Sequence, residues 1–101
     1  MKLIISFMFI ILSVSDAYSQ WTASSAGIPP GAVVQSLHSS GTNIYAGTGE
    51  GVYVSTDFGS SWTQILSGSG TVNSLTICNQ VLFAGTGSQG IYFSSNGGVN
   101  W

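Results

Sequence analysis

The sequence predicts an all-β fold assembled from a repeated, four-stranded antiparallel unit. One octapeptide occurs twice: Ser55-Thr56-Asp57-Phe58-Gly59-Ser60-Ser61-Trp62 returns further along the chain as Ser94-Ser95-Asn96-Gly97-Gly98-Val99-Asn100-Trp101. Both copies read Ser-x-Asp/Asn-x-Gly-x-x-Trp. The match extends upstream, where Val34-Gln35-Ser36-Leu37 answers Val72-Asn73-Ser74-Leu75 and Ile44-Tyr45-Ala46-Gly47-Thr48-Gly49 answers Leu82-Phe83-Ala84-Gly85-Thr86-Gly87. Gly51-Val52-Tyr53 answers Gly90-Ile91-Tyr92 in the same way. Short apolar runs separated by glycine turns, at a period near 40, mark propeller blades and related arrays.

Period-2 alternation and β-branched or aromatic enrichment place strands at residues 33–38, 43–47, 51–55 and 61–66, then at 71–77, 80–84 and 90–94. Gly47-Thr48-Gly49-Glu50-Gly51 and Gly85-Thr86-Gly87-Ser88-Gln89-Gly90 lie between consecutive strands and supply residues that accept positive φ, as tight hairpins need. Four antiparallel strands in a unit of about 40 residues make a propeller blade. The expected architecture is a partial β-propeller of about two such blades, with units over residues 21–61 and 62–101, preceded by a signal-peptide helix.

Trp21 extends the series Trp21, Trp62, Trp101, in which the two intervals are nearly equal, and Trp21-Thr22 opens like Trp62-Thr63. Residues just after Trp21 therefore read as the last strand of a preceding blade. Ile28-Pro29-Pro30-Gly31 reads as a turn-rich connection. Six or seven blades of about 40 residues need roughly 240 to 280 residues, so the chain is expected to be the N-terminal piece of a longer protein, with further blades in cis.

Residues 1–19 carry a single cation at Lys2, an apolar core from Leu3 to Val14, and small residues at Ala17 and Ser19. This is the pattern of a secretory signal peptide cleaved before Gln20. As a helix the apolar core rises only about 18 Å, too little to span a hydrocarbon layer of roughly 30 Å. Residues 20–101 are thus expected to be secreted or periplasmic, in a bacterium, and free of the membrane after cleavage.

Beyond Ser19 there is no lysine or arginine, and the acids are Glu50 and Asp57. Without cations the chain has no electrostatic means of neutralising phosphates, which argues against nucleic acid and anionic membranes as partners. Cys78 is the one cysteine and cannot form an internal disulfide; within Leu75-Thr76-Ile77-Cys78 it reads as a small buried hydrophobe.

The repeated octapeptide has a physical rationale of its own. Its Asp or Asn side chain accepts hydrogen bonds from N–H groups two or three residues on, forming an Asx-type turn. Gly59 and Gly98 allow a backbone conformation that a Cβ would strain, and Trp62 and Trp101 bury a large ring at the base of the turn. The structural residues of the two turns are Ser55, Asp57, Gly59 and Trp62, then Ser94, Asn96, Gly98 and Trp101.

At these residues the chain resembles the Asp-box family, or bacterial neuraminidase repeats, found in sialidases, xyloglucan-cleaving endoglucanases, the sortilin ectodomain and photosystem II assembly factor-like propellers. The second box departs from the pattern by Asn96 for Asp. Ile44-Tyr45-Ala46-Gly47-Thr48, followed by Gly51-Val52-Tyr53-Val54-Ser55, looks most like the secreted photosystem II assembly factor-like or sortilin-like members. The resemblance implies a propeller that binds glycan or protein at the cell surface, or alternatively the start of a sialidase-like or xyloglucanase-like glycan hydrolase whose catalytic residues lie beyond Trp101.

No catalytic, cofactor-binding or metal-binding residues are assigned. A sialidase needs an arginine cluster, which is lacking, and Tyr45, Tyr53 and Tyr92 fall at strand positions that suit interior aromatics. Cleavage between two carboxylates needs a pair, whereas Asp57 is committed to its turn and Glu50 reads as a solvated loop acid. Gly47-Thr48-Gly49-Glu50-Gly51 is followed by no helix and no Lys, so it is a hairpin and not a phosphate loop. His38 has no second ligand at metal spacing and no catalytic acid.

Overall fold

A computed structural model describes residues 22–101, and the expected signal peptide, with Trp21, lies outside them. The described residues are all β. The strands are β1 (Val34–Ser40), β2 (Asn43–Thr48), β3 (Gly51–Ser55), β4 (Thr63–Leu66), β5 (Val72–Cys78), β6 (Val81–Thr86) and β7 (Ile91–Ser94). They form two antiparallel meanders, a four-stranded sheet β1-β2-β3-β4 and a three-stranded sheet β5-β6-β7. The seven strands expected between residues 33 and 94 are present, with ends shifted by no more than two positions, whereas residues 22–25, expected as the last strand of a preceding blade, form no strand. The second sheet holds three strands where the repeat unit predicts four, so the outer edge of β7 is unpaired among the described residues.

The repeat is visible in the registers. Leu37 pairs Ala46 and Ala46 pairs Tyr53 in the first sheet, as Leu75 pairs Ala84 and Ala84 pairs Tyr92 in the second. Each first strand carries its irregularity at the same place, between Val34 and Ser36 and between Val72 and Ser74. Loop bonds repeat too: Gly49 N–H donates to Val33 O at 3.1 Å, and Gly87 N–H to Thr71 O at 3.0 Å.

Because side chains alternate along a strand and cross-strand partners share a face, each sheet has two faces. In the first sheet the leading face carries Leu37, Ile44, Ala46 and Tyr53, and the trailing face carries Tyr45, Gly47, Val52 and Val54. The leading face of the second sheet carries Leu75, Leu82, Ala84 and Tyr92, and its trailing face Phe83, Gly85, Ile91 and Phe93.

The core lies where the trailing face of the first sheet meets the leading face of the second. Val52, Leu66, Val72 and Ala84 are buried there, with Ile65, Leu75, Tyr92 and Trp101 packed around them. The approach is close at Gly47, where a Cβ would come within 2.8 Å of Val72 Cγ1 and 2.5 Å of Ser36 Oγ. A larger residue at this position would push the two sheets apart. The outermost faces are covered less completely: Ala46 and Tyr53 are buried on the leading face of the first sheet but Leu37 there is exposed, as are Ile91 and Phe93 on the trailing face of the second.

Cys78 departs from the expectation of burial. It is exposed at the end of β5, opposite Val81 across a two-residue turn. Asn79 and Gln80 at that turn both have positive φ, 49° and 67°, the combination that the right-handed twist of a two-residue hairpin demands. The apolar run before Cys78 therefore ends at a loop tip instead of entering the core.

Candidate functional site

The most organised polar constellation is the pair of octapeptide turns. In the first, Ser55 is fully buried at the end of β3 and its hydroxyl works in both directions. It donates to Asp57 Oδ1 at 2.8 Å and accepts from Gly59 N–H at 2.7 Å. Asp57 Oδ1 also accepts from Ser61 N–H at 2.9 Å, and Oδ2 from the Ser61 hydroxyl at 2.6 Å. The second turn has the same wiring: Ser94 Oγ to Asn96 Oδ1 at 2.8 Å, Gly98 N–H to Ser94 Oγ at 2.8 Å, and Asn100 N–H to Asn96 Oδ1 at 2.9 Å. Substituting an amide for a carboxylate leaves the hydrogen bonds of Oδ1 in place because an amide oxygen accepts as a carboxylate oxygen does.

These bonds correct the expected division of labour. The acid reaches N–H groups four residues on, not two or three, and the N–H of the box glycine is taken by the serine. Serine and Asp together satisfy donors that a strand ending in a tight turn leaves unmade. The Ser61 hydroxyl foremost, then Ser61 N–H and the Ser55 hydroxyl, hold the Asp57 carboxyl down to about 2, below its ordinary 3.8.

The tryptophans do more than cover the turn. Trp62 Nε1 donates to Ser24 O at 2.7 Å, and Trp101 Nε1 to Ile65 O at 2.8 Å. Ser24 stands three places after Trp21, as Ile65 does after Trp62. The box glycines face the same two residues: a Cβ on Gly59 would meet Ser24 Oγ at 2.6 Å, and one on Gly98 would meet Ile65 Cδ1 at 2.5 Å. Both glycines have positive φ, 89° and 93°, so a side chain there is excluded by backbone strain as well as by contact. Each octapeptide thus fastens its own turn to the chain that precedes its sheet, Ser24 ahead of β1 and Ile65 of β4 ahead of β5.

Two threonines to which the sequence alone assigns no role complete the wiring. Thr48 Oγ1 donates to Gly51 O at 3.1 Å and accepts from Glu50 N–H at 3.0 Å. Thr86 Oγ1 donates to Gly90 O at 2.7 Å and accepts from Gln89 N–H at 2.9 Å. The signal is present in the repeated Gly-Thr-Gly; a threonine at a strand end is equipped to tie the hairpin that follows.

Other candidates stay apart. Glu50 is exposed on the β2–β3 turn, with its main-chain oxygen accepting from Gln64 Nε2 at 2.7 Å. His38 lies on β1 opposite Tyr45, and no cluster of three metal-ligating side chains occurs among the described residues. Tyr45 and Tyr53 are buried, and the Tyr92 hydroxyl donates to Gln89 Oε1 at 2.9 Å. A groove of about 400 Å³ runs between residues 24–28 and the leading face of the first sheet, walled by Leu37, Ile44, Ala46, Phe58 and Trp62. Searches against protein-family models, curated proteins and solved structures found no match to the chain.

Proposed function

We propose that this chain is a secreted or periplasmic bacterial β-propeller repeat module that binds or scaffolds at the cell surface and carries no catalytic centre of its own. One observation supports this reading above the others. The side chains of Ser55, Asp57 and Trp62, and of Ser94, Asn96 and Trp101, are engaged within the turn or with the chain that precedes the sheet, which favours a structural clamp over a reactive site. The face-to-face packing of two like sheets favours blade stacking, with further blades in cis continuing the array. A serine- and threonine-rich surface with few charges and exposed aromatics suits glycan or protein partners better than polyanions.

The test is retention of the exported chain on immobilised cell-surface polysaccharides, with release of reducing sugar followed in parallel. Retention without release is expected. Release of reducing ends by this chain would overturn the non-catalytic reading, whereas release only by a longer protein that contains it would establish the glycan-hydrolase alternative.

A further inference from the structure

The two octapeptide turns are wired alike, but where the first reads Asp57-Phe58 the second reads Asn96-Gly97. Among the five asparagines of the chain, Asn96 is the one followed by glycine. Its Oδ1 accepts from the Ser94 hydroxyl at 2.8 Å and from Asn100 N–H at 2.9 Å, whereas Nδ2 makes no hydrogen bond among the described residues. Gly97 N–H likewise donates to no acceptor there. Asn96 and Gly97 are both exposed. That exposure belongs to the turn itself: Asp57 and Phe58 are exposed as well, although a second sheet follows theirs.

We propose that Asn96 is a site of spontaneous deamidation, at which the folded second turn converts its own amide into a carboxylate like the one the first turn carries as Asp57. Gly97 N and Asn96 Cγ are separated only by the main-chain carbonyl carbon, Cα and Cβ of Asn96, so joining them closes a succinimide ring. Gly97 N gives its proton to water, and its electron pair forms the N–Cγ bond. The Cγ–Nδ2 bond then breaks, and Nδ2 takes up a proton and leaves as ammonia. Water opens the imide. Attack at Cγ breaks the new Cγ–N bond and leaves aspartate with the main chain restored; attack at the main-chain carbonyl carbon breaks the original peptide bond and leaves a β-linked residue. Nothing is oxidised or reduced, and water is the co-reactant.

Each observed feature of the turn serves one of these steps. Glycine has no Cβ to obstruct the approach of its nitrogen, and because Gly97 N–H has no acceptor its deprotonation breaks no bond of the turn. Negative charge builds on Oδ1 as the ring closes, and the Ser94 hydroxyl and Asn100 N–H already point at that atom, as donors in an oxyanion hole do. The unbonded Nδ2 is free to leave. Aspartate also fits the turn, since the corresponding donors from Ser55 and Ser61 hold the Asp57 carboxylate. The inference rests on the chemistry of the turn and not on the propeller reading, so it stands or falls apart from ligand retention.

The test incubates the full-length sequence, exported and recovered from the extracytoplasmic fraction, in heavy-oxygen water at mildly alkaline pH, both folded and in urea. Chymotrypsin, used afterwards in ordinary water so that conversion during handling stays unlabelled, cuts after Phe93 and isolates residues 94–101 for mass spectrometry. Heavy oxygen is expected in that peptide, with ammonia released, and not at Asn43, Asn73 or Asn79. Uptake should be a few-fold faster in the folded chain than in urea. Ser94→Ala, which removes one donor to Oδ1, should lower the rate to that in urea or below it, and Asn96→Gln, which would have to close a larger ring, should abolish it. No uptake in the folded chain, uptake no faster there than in urea, or uptake undiminished in Asn96→Gln, which would place the label at Asn100, would overturn the inference.

Discussion

Val52 and Ile91 occupy the same register position in successive units, yet Val52 is fully buried and Ile91 is 74% exposed. Both follow the hairpin glycine and both point from the trailing face of their sheet. The sequences around them are too similar to account for the difference; the neighbour does. A second sheet covers Val52 and nothing among the described residues covers Ile91.

Truncation to alanine at these two positions should therefore have unequal effects. Val52→Ala removes two buried methyl groups from between the sheets and leaves a cavity, which costs about 2 to 3 kcal/mol. Ile91→Ala should stay within about 0.5 kcal/mol, as surface changes do. Denaturant titration of both variants checks this, and equal losses would mean that Ile91 has cover of its own.

Ser55 and Ser94 should behave as a matched pair. Each hydroxyl is buried and accepts from the N–H of the box glycine, so alanine strands a buried donor at a cost of about 1 to 3 kcal/mol in either turn. Glu50→Ala, at an exposed turn, should stay within about 0.5 kcal/mol. Thermal unfolding of the three variants gives the ranking, and a serine variant no weaker than Glu50→Ala would remove the clamp from the account of the turn.

Acid should weaken the first turn and spare the second. The Asp57 carboxyl is held to about 2 in the folded chain against an ordinary 3.8, chiefly by the Ser61 hydroxyl. A depressed folded value means that the contribution is complete above about pH 4 and is lost as pH falls toward 2. Asn96 has no proton to gain in this range. Asp57→Asn should flatten the acid limb of a stability-against-pH curve, and Asn96→Asp should steepen it; the midpoint of denaturant unfolding at successive pH values reads both.

Much of this fold is legible in the sequence, and the reason is redundancy. A motif met twice at a fixed shift sets strand order, hairpins and the register of one unit on the next, because Ser55, Gly59 and Trp62 must do what Ser94, Gly98 and Trp101 do. What escapes depends on distances and on neighbours outside the repeat. The serine's acceptor role is hidden because Ser and Asp compete for the same nearby N–H groups, and only distances decide between them. Cys78 follows three residues that alternate regularly, so its run looks interior, and only the turn at Asn79 and Gln80 places it at a tip. Exposure of that thiol gives a direct check. It should react with an aromatic disulfide reagent in the folded state at a rate within a few-fold of the unfolded chain, whereas a buried thiol would need denaturant first.

The last prediction separates the two tryptophans, which make the same hydrogen bond in different surroundings. Trp101 Nε1 donates to Ile65 O in a partly buried setting beside the core cluster, while Trp62 Nε1 donates to Ser24 O in an exposed one. Phenylalanine keeps an aromatic ring at either position and removes the donor. At Ser24 water replaces the lost partner, so Trp62→Phe should cost about 0.5 kcal/mol. At Ile65 the carbonyl loses its donor against the packed surface of Leu66 and Val72, where water has less room, and the smaller ring also gives up contact area. Trp101→Phe should then cost about 1 to 2 kcal/mol. Because each variant retains the other indole of the pair, its fluorescence reports unfolding in both cases. A larger loss at Trp62 than at Trp101 would show that residues 22–28 hold the first sheet more firmly than the second sheet does, and that the stronger clamp lies at the N-terminal end.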